Sequence, residues 1–394
     1  MPLWIIEPRD PLIVRDGRPF GPNPGARAIS LPFPFPSTIA GGIRSRAGVD
    51  KNGTFDTNDS NIQRVKQIGI RGPLLIELND TDALRWLVPA PADVVIFDKD
   101  KQLDLRRLVP LNTPANHITN LPDGLDHLVG QVCPDPRKVS RDAPRFWYWE
   151  QFKQWLLDST QITTIVPNKL GHNGPITETR MHVSIQGDTQ TASEGALFQT
   201  SGLAFTHQYS EQHIKRTRLA LAVATGDPLA NFNGGTGGFA PLGGERRLMN
   251  WWKYTEEEQL PGCPEHLWTR IAESEACRLV LLTPACFQNG YQPLLKTLTH
   301  AGVQPKIKAI AIQRAQVISG WDMAANNGKG APKPTRRLAP AGTVFFLNFE
   351  GAKDKDAIQS WIQAIWMQCI SDDPQDRLDG FGLAVLGHWD GKLA

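Results

Sequence analysis

The sequence predicts an α+β chain of two domains, each an antiparallel sheet with helices on one face and long inserted loops. Three observations predict it. With 394 residues the chain is longer than a single core normally organises. Its C-terminal part reads strand, strand, strand, helix, strand. Its 31 prolines, 35 glycines and 12 tryptophans favour short strands and structured loops over a helical bundle. We place the domains at residues 1–262 and 275–394.

Apolar residues make up 40% of the chain, enough for packed cores, and charged residues 21%. Net charge is only +2, so a nucleic-acid partner must be met by a local patch. Five cysteines, Cys133, Cys263, Cys277, Cys286 and Cys369, are odd in number, and no two have CxxC spacing. This argues against a zinc ribbon or a disulfide framework and fits a reducing cytoplasm. No basic leader with a long apolar run opens the chain, and no stretch has the length of a membrane span. The expectation is a soluble, cytoplasmic protein.

Leu3 to Glu7 reads as a strand, continued or neighboured by Leu12 to Val14. Ser37 is a suitable N-cap for a short helix over Thr38 to Ala47. Gly41 and Gly42 weaken that helix, which suits a place where something approaches the backbone closely. Lys51 to Ser60 is polar and turn-rich. Gly72-Pro73 opens a strand over Leu74 to Leu78. Leu84 to Val88 and Val94 to Phe97 read as a pair joined through Pro89-Ala90-Pro91-Ala92-Asp93. No regular pattern runs from Asp98 to Pro144. Phe146 to Leu157 reads as a helix, then Met181 to Ile185, Gly195 to Phe205 and Leu219 to Thr225 as strands. Glycine clusters follow at 234–238 and 243–244.

In the second part, Leu279 to Leu282, Ile307 to Ile312 and Ala315 to Ser319 read as strands. A basic loop over Asn326 to Arg337 leads to a strand at Thr343 to Phe349. Ala357 to Cys369 is an amphipathic helix with Ile358, Trp361, Ile362, Ile365 and Trp366 in one stripe. Gly380-Phe381-Gly382 precedes a last strand, Leu383 to Leu386. This order suits a ferredoxin-like sandwich. The first half shows no short repeat of it, but is compatible with the same plan.

Several segments carry anion-binding chemistry. A helix start at Ser37-Thr38 offers unpaired N–H groups and partial positive charge to a phosphate, and Arg44 and Arg46 add guanidinium groups. The plain alternative is a capped helix with solvated arginines. Arg15-Asp16-Gly17-Arg18-Pro19 reads equally as a phosphate-holding turn or a surface hairpin with an internal ion pair. Residues 1–48 hold six arginines against three acids. Residues 303–338 hold seven basic residues against one acid, among them Lys329, Lys333, Arg336 and Arg337. A Gly- and Pro-rich basic loop of one sign reads as an arm that closes over a polyanion. Gly243-Gly244-Glu245-Arg246-Arg247 is either a plain turn or a close backbone approach with Arg246 or Arg247 as anchor. No Walker loop, dinucleotide fingerprint, His-Glu-x-x-His or Gly-x-Ser-x-Gly elbow is present. Neither a catalytic constellation nor a metal or cofactor site is expected. His182, near Glu178 and Arg180, is the one histidine we weigh as a general base on a ribose hydroxyl.

In order along the chain stand several blocks. They are Glu7-Pro8 with Arg15-Asp16-Gly17-Arg18-Pro19-Phe20, Pro36-Ser37-Thr38-Ile39-Ala40-Gly41 with Arg44, and Pro89-Ala90-Pro91-Ala92-Asp93. Glu178-Thr179-Arg180-Met181-His182-Val183 runs to Gly195-Ala196-Leu197-Phe198. Then come Gly243-Gly244-Glu245-Arg246-Arg247, Gly320-Trp321-Asp322, Pro332-Lys333-Pro334 and Pro340-Ala341-Gly342. With them the chain resembles the RAMP superfamily of CRISPR proteins, and within it the third subunits of type III-B (Cmr) RNA-targeting complexes. The resemblance implies two ferredoxin-like (RRM-like) domains and a non-catalytic role. That role is to grip the 5′ repeat-derived tag of the CRISPR RNA and dock the large polymerase-like subunit beside the backbone subunits, target RNA being met indirectly. It implies a thumb-like hairpin that kinks the guide, for which 98–145 is our candidate. It also implies a C-terminal glycine-rich loop, matched here only by Gly380, Gly382 and Gly387. The rival expectation, an endoribonuclease trimming CRISPR transcripts with His182 as base, follows from related RAMP proteins.

Overall fold

The computed structural model describes residues 1–15, 27–50, 52–112, 119, 121–122, 124–160, 164–210, 213–227, 229–255, 260–322, 326, 330–349 and 354–394. It is a strand-rich α+β molecule built on two antiparallel sheets. Across the first, the strands run Gly171–His172, Phe146–Tyr148, Leu84–Pro89, Ile70–Leu78, His213–Thr225, Leu3–Pro8, Leu248–Tyr254 and Gly237–Pro241, and Thr206–Ser210 also pairs with His213–Thr225. The second runs Lys306–Ala311, Val344–Asn348, Ala276–Leu281, Leu383–His388 and Gln368–Cys369. The apolar central strands Leu3–Pro8 and Ala276–Leu281 are buried along their whole length, as a strand covered on both faces must be.

Helix α1 spans Pro36–Ala47 and buries Ile39, Ala40 and Ile43 on the first sheet. Ser37 does not cap it. Pro36 occupies the first helical position, where its fixed φ and missing N–H are harmless, and holds Phe35 extended as the N-cap (φ −71°, ψ 153°). The polar stretch after it ends in a second helix, α2, Asp59–Lys66, so the loop expected at Lys51 to Ser60 runs two residues into that helix.

Leu84–Pro89 and Val94–Lys99 do not pair with each other. The amides of Ala90 and Ala92 donate to the carbonyls of Arg145 and Gly342 (2.9 and 2.7 Å), which carries the chain onward instead of back. Val94–Lys99 pairs with Gln102–Arg107 through Asp100 and Lys101, both at positive φ, the geometry of a tight hairpin turn. The expected helix over Phe146 to Leu157 is divided. Phe146–Tyr148 is a buried strand, as its aromatic triplet favours. Only Trp149–Leu157 is helical (α3), burying Phe152, Trp155 and Leu156.

The amphipathic helix of the second part is Lys355–Ile365, capped by Asp354, with Ile358, Trp361, Ile362 and Ile365 buried as its stripe requires. It stops before Cys369 because Met367 takes a positive φ and turns the chain into the edge strand Gln368–Cys369.

The two sheets share a core. Leu74, Val88 and Trp147 from the first lie in one buried cluster with Trp155 of α3 and Leu279, Phe345 and Leu386 of the second. A buried polar network crosses the joint. Arg278 donates to Asp93 Oδ2 (2.5 Å), Trp155 O (2.5 Å) and His388 O (2.9 Å), and the Trp155 indole donates to Asp93 Oδ1 (3.0 Å). The block Pro89–Asp93 therefore does structural work. Gly342, at φ +89°, lets its turn close on the carbonyl of Ala90.

A long hairpin, Ile176–Ile185 with Ala192–Ala204, extends from this body. The described part of residues 98–145, our thumb candidate, holds the short hairpin strand Gln102–Arg107 and a two-residue ladder of Val109–Pro110 with Val129–Gly130.

Candidate nucleic-acid interface

The structure divides the predicted anion-binding residues into two groups. The first surrounds the start of α1. Ser37 and Thr38 are half-buried in its first turn, which holds no acid, and the Thr38 amide is bonded to the Phe35 carbonyl (3.0 Å). Gly41 faces open space, so a ligand can reach the backbone there. At Gly42 a Cβ would lie 2.7 Å from Leu242 Cδ1 and 3.1 Å from Trp251, so this glycine serves packing on the sheet.

Arg44 and Arg46 differ in kind. Arg44 is engaged, donating to Asp379 (2.6 Å) and to the carbonyl of Ile68 (3.2 Å). Arg46 has no hydrogen-bond or ion-pair partner among the described residues, and its Nε is buried. Burial lowers its hold on its proton. A half-buried guanidinium without an acceptor is unfavourable unless a ligand supplies one.

Asp379 leads directly to the glycine loop. Gly380 (φ +95°) packs against the carbonyl of Gly72 and against Pro36 at the head of α1; an added Cβ would come within 2.7 Å of that carbonyl. Gly382 (φ +82°) closes on the amide of Ser371. Both glycines are used in close backbone packing, and the loop thereby joins the second sheet to α1.

A cleft of about 560 Å³ opens beside this joint. One wall is Leu31–Pro36, leading into α1; the facing wall includes Arg314, Gln316 and Val317. The latter wall is the base of a β-ribbon. Gln316–Ile318 pairs with Arg336–Leu338, and further out Trp321–Asp322 pairs with Ala331–Pro332. Of the expected basic loop, Ala331–Pro332, Arg336 and Arg337 are thus strand, while the described residues between them stay irregular. Arg336 is bound to Asp376 through both carboxylate oxygens (2.9 and 2.8 Å), and burial raises the Asp376 carboxyl above its ordinary value. Lys333 and Arg337 are exposed, and their side chains have no partner among the described residues.

The second group flanks Ile13. The turn at Gly243–Arg247 packs there, the Gly244 amide donating to the Ile13 carbonyl (2.7 Å). Arg247 holds Glu245 (2.8 Å) and keeps its Nε buried and unpaired, while Arg246 is exposed at positive φ. Arg15 is bridged to Ser30 nearby. Arg180, on the hairpin strand Ile176–Ile185, lies against Arg247 and Ile13 in the same small hollow, a contribution our reading did not include. His182 is engaged: its Nε2 lies 2.8 Å from Thr200 Oγ1, and its ring stacks on Phe198. Arg18 and Lys329 lie outside the described residues, as do Asp16, Gly17, Pro19 and Phe20.

Among the described residues no group of three or more His, Cys, Asp or Glu is arranged to hold a metal ion, and no helix is long and apolar enough to cross a membrane. Burial pushes the thiols of Cys263, Cys286 and Cys369 up to about 12, which leaves them unreactive at neutral pH.

Solved structures similar to this chain include two cryo-EM structures of the type III-B Cmr-beta complex. One is bound to cognate target RNA and AMPPnP, the other to cognate target RNA. Each matches at 17% identity over 87% of this chain and 86% of the other, with TM-scores of 0.46 and 0.47. A comparison with curated proteins gives no match. The family model for the CRISPR-associated protein Cas_Cmr3 matches residues 4–389, and the chain accordingly belongs to the Cmr3 family of CRISPR-associated proteins.

Proposed function

We propose that this chain is a non-catalytic RNA-binding subunit of a type III-B CRISPR effector, holding the 5′ repeat-derived tag of the CRISPR RNA and docking the large polymerase-like subunit. The observation that carries this reading is the cleft in which the approach to α1 faces the base of a ribbon bearing unpaired cations. Such a groove suits a single strand, tracked by its phosphates and read by its unstacked bases. The unpartnered Arg46 and the open backbone at Gly41 belong to the same helix.

Strand order supports two ferredoxin-like domains, at 1–262 and 275–394. In each sheet four strands lie in the order second, third, first, fourth, all antiparallel. These are Ile70–Leu78, His213–Thr225, Leu3–Pro8 and Leu248–Tyr254, then Lys306–Ala311, Val344–Asn348, Ala276–Leu281 and Leu383–His388. The thumb is better assigned to the hairpin Ile176–Ala204. Met181, Val183, Ile185 and Leu197 expose one apolar face on it.

Arg46→Ala is the direct test, because Arg46 has no hydrogen-bond or ion-pair partner among the described residues. In a filter-binding titration with repeat-tag RNA we expect weaker binding and a salt slope lower by about one. Unchanged affinity and slope would remove Arg46 from the interface. The endoribonuclease reading is separated by incubating the protein with repeat RNA in chelator: cleavage abolished by His182→Ala would favour it.

A further inference from the structure

Of the twelve tryptophans, Trp321 alone is exposed (57%); the other eleven are buried or partly buried. It sits on the ribbon, paired across to Pro332. Its seat is built. Gly330, buried at φ +79°, lies under the ring, and a Cβ there would run into the indole Nε1. A glycine conformation that other residues rarely adopt is thus used to hold an indole edge-down with the rest of the ring in solvent. Lys333 follows Pro332, its amide donating to the Gly320 carbonyl (2.8 Å), and its stem lies beside Gly320. Arg337 lies opposite the exposed Val317 nearer the cleft, where Arg314 borders the opening. Arg314, Lys333 and Arg337 have no side-chain partner among the described residues.

We propose that Trp321 is a stacking platform for an unpaired base of single-stranded RNA, with Lys333 and Arg337 neutralising the flanking phosphates. This inference rests on the RNA-binding reading above. A protein partner would also cover an indole, but Lys333 and Arg337 on the same ribbon match a polyanion, and the single exposed ring beside them matches one of its bases.

The test uses the full-length protein and a fluorescein-labelled single-stranded repeat-tag RNA, with a second copy carrying 5-iodouridine. Trp321→Ala should weaken binding about 5- to 100-fold, the worth of one stacked base, without changing the salt slope. Trp321→Phe should keep most of the affinity. Lys333→Ala with Arg337→Ala should lower the slope instead. Photocrosslinks should map to the peptide containing Trp321. Unchanged affinity in Trp321→Ala, beside a wild type that binds, overturns the platform and leaves the functional reading standing. If Trp321→Ala keeps RNA affinity but no longer assembles with a protein subunit, the ribbon is a protein-docking surface and the inference fails. A wild-type chain that binds no single-stranded RNA overturns both.

Discussion

Asp93 and Arg278 are side chains whose importance lies wholly in the dark interior, each with under 4% of its side chain exposed. Removing one partner leaves a buried charge unanswered. Asp93→Ala should therefore lower stability by about 3–5 kcal/mol in denaturant unfolding, while an apolar pair at both positions should recover much of the loss. His388 contributes a pH dependence. Burial, and then the nearby Arg270 and Arg278, hold its imidazole below the usual value. As pH falls through that usual value, near 6.5, the unfolded chain takes a proton that the folded chain refuses, so stability declines on the acid side. Urea midpoints should fall between pH 7.5 and 5.5, less steeply in His388→Gln. None of this was visible from the residues alone. Asp93 stands in a proline-rich block and Arg278 in an apolar strand, and only the fold brings them together.

At the scale of elements, α1 separates stability from binding. Gly41 is helical, exposed and unobstructed, so Gly41→Ala should stabilise the protein by about 0.5–1 kcal/mol. If RNA approaches that backbone, the same change weakens its binding; thermal melting and a titration on one sample read both effects. The long apolar strands and the stripe of Lys355–Ile365 were legible because burial writes a period into the residues. Boundaries were legible only where a local rule governs them. Pro36 and Phe35 set the start of α1 by a rule that outranks serine's capping preference. The aromatic triplet Phe146–Tyr148 favours a strand, but its pairing with Leu87–Pro89 is a contact that no local pattern announces. The cations at 329–337 were legible as a basic cluster, but not that Arg336 is already bound to Asp376 while Lys333 and Arg337 have no side-chain partner among the described residues.

For the whole molecule, the shared core means that the two sheets should unfold together. Calorimetry should show one transition, with no early loss of the second sheet. Gly380→Ala should destabilise the joint by about 1–3 kcal/mol, since it adds a side chain at positive φ beside the Gly72 carbonyl. That the glycine loop faces α1 was beyond the reach of spacing, because some 340 residues of chain separate Pro36 from Gly380.

The link from Arg44 to Asp379 has a consequence of its own. If Arg44 meets a phosphodiester, as the proposed function has it, the Asp379 carboxylate occupies that position and competes with the RNA for the guanidinium. Neutralising it as Asp379→Asn should tighten RNA binding and loosen the attachment of α1 to the second sheet. Measured together, the two changes would give the exchange rate between grip and rigidity that this arginine sets.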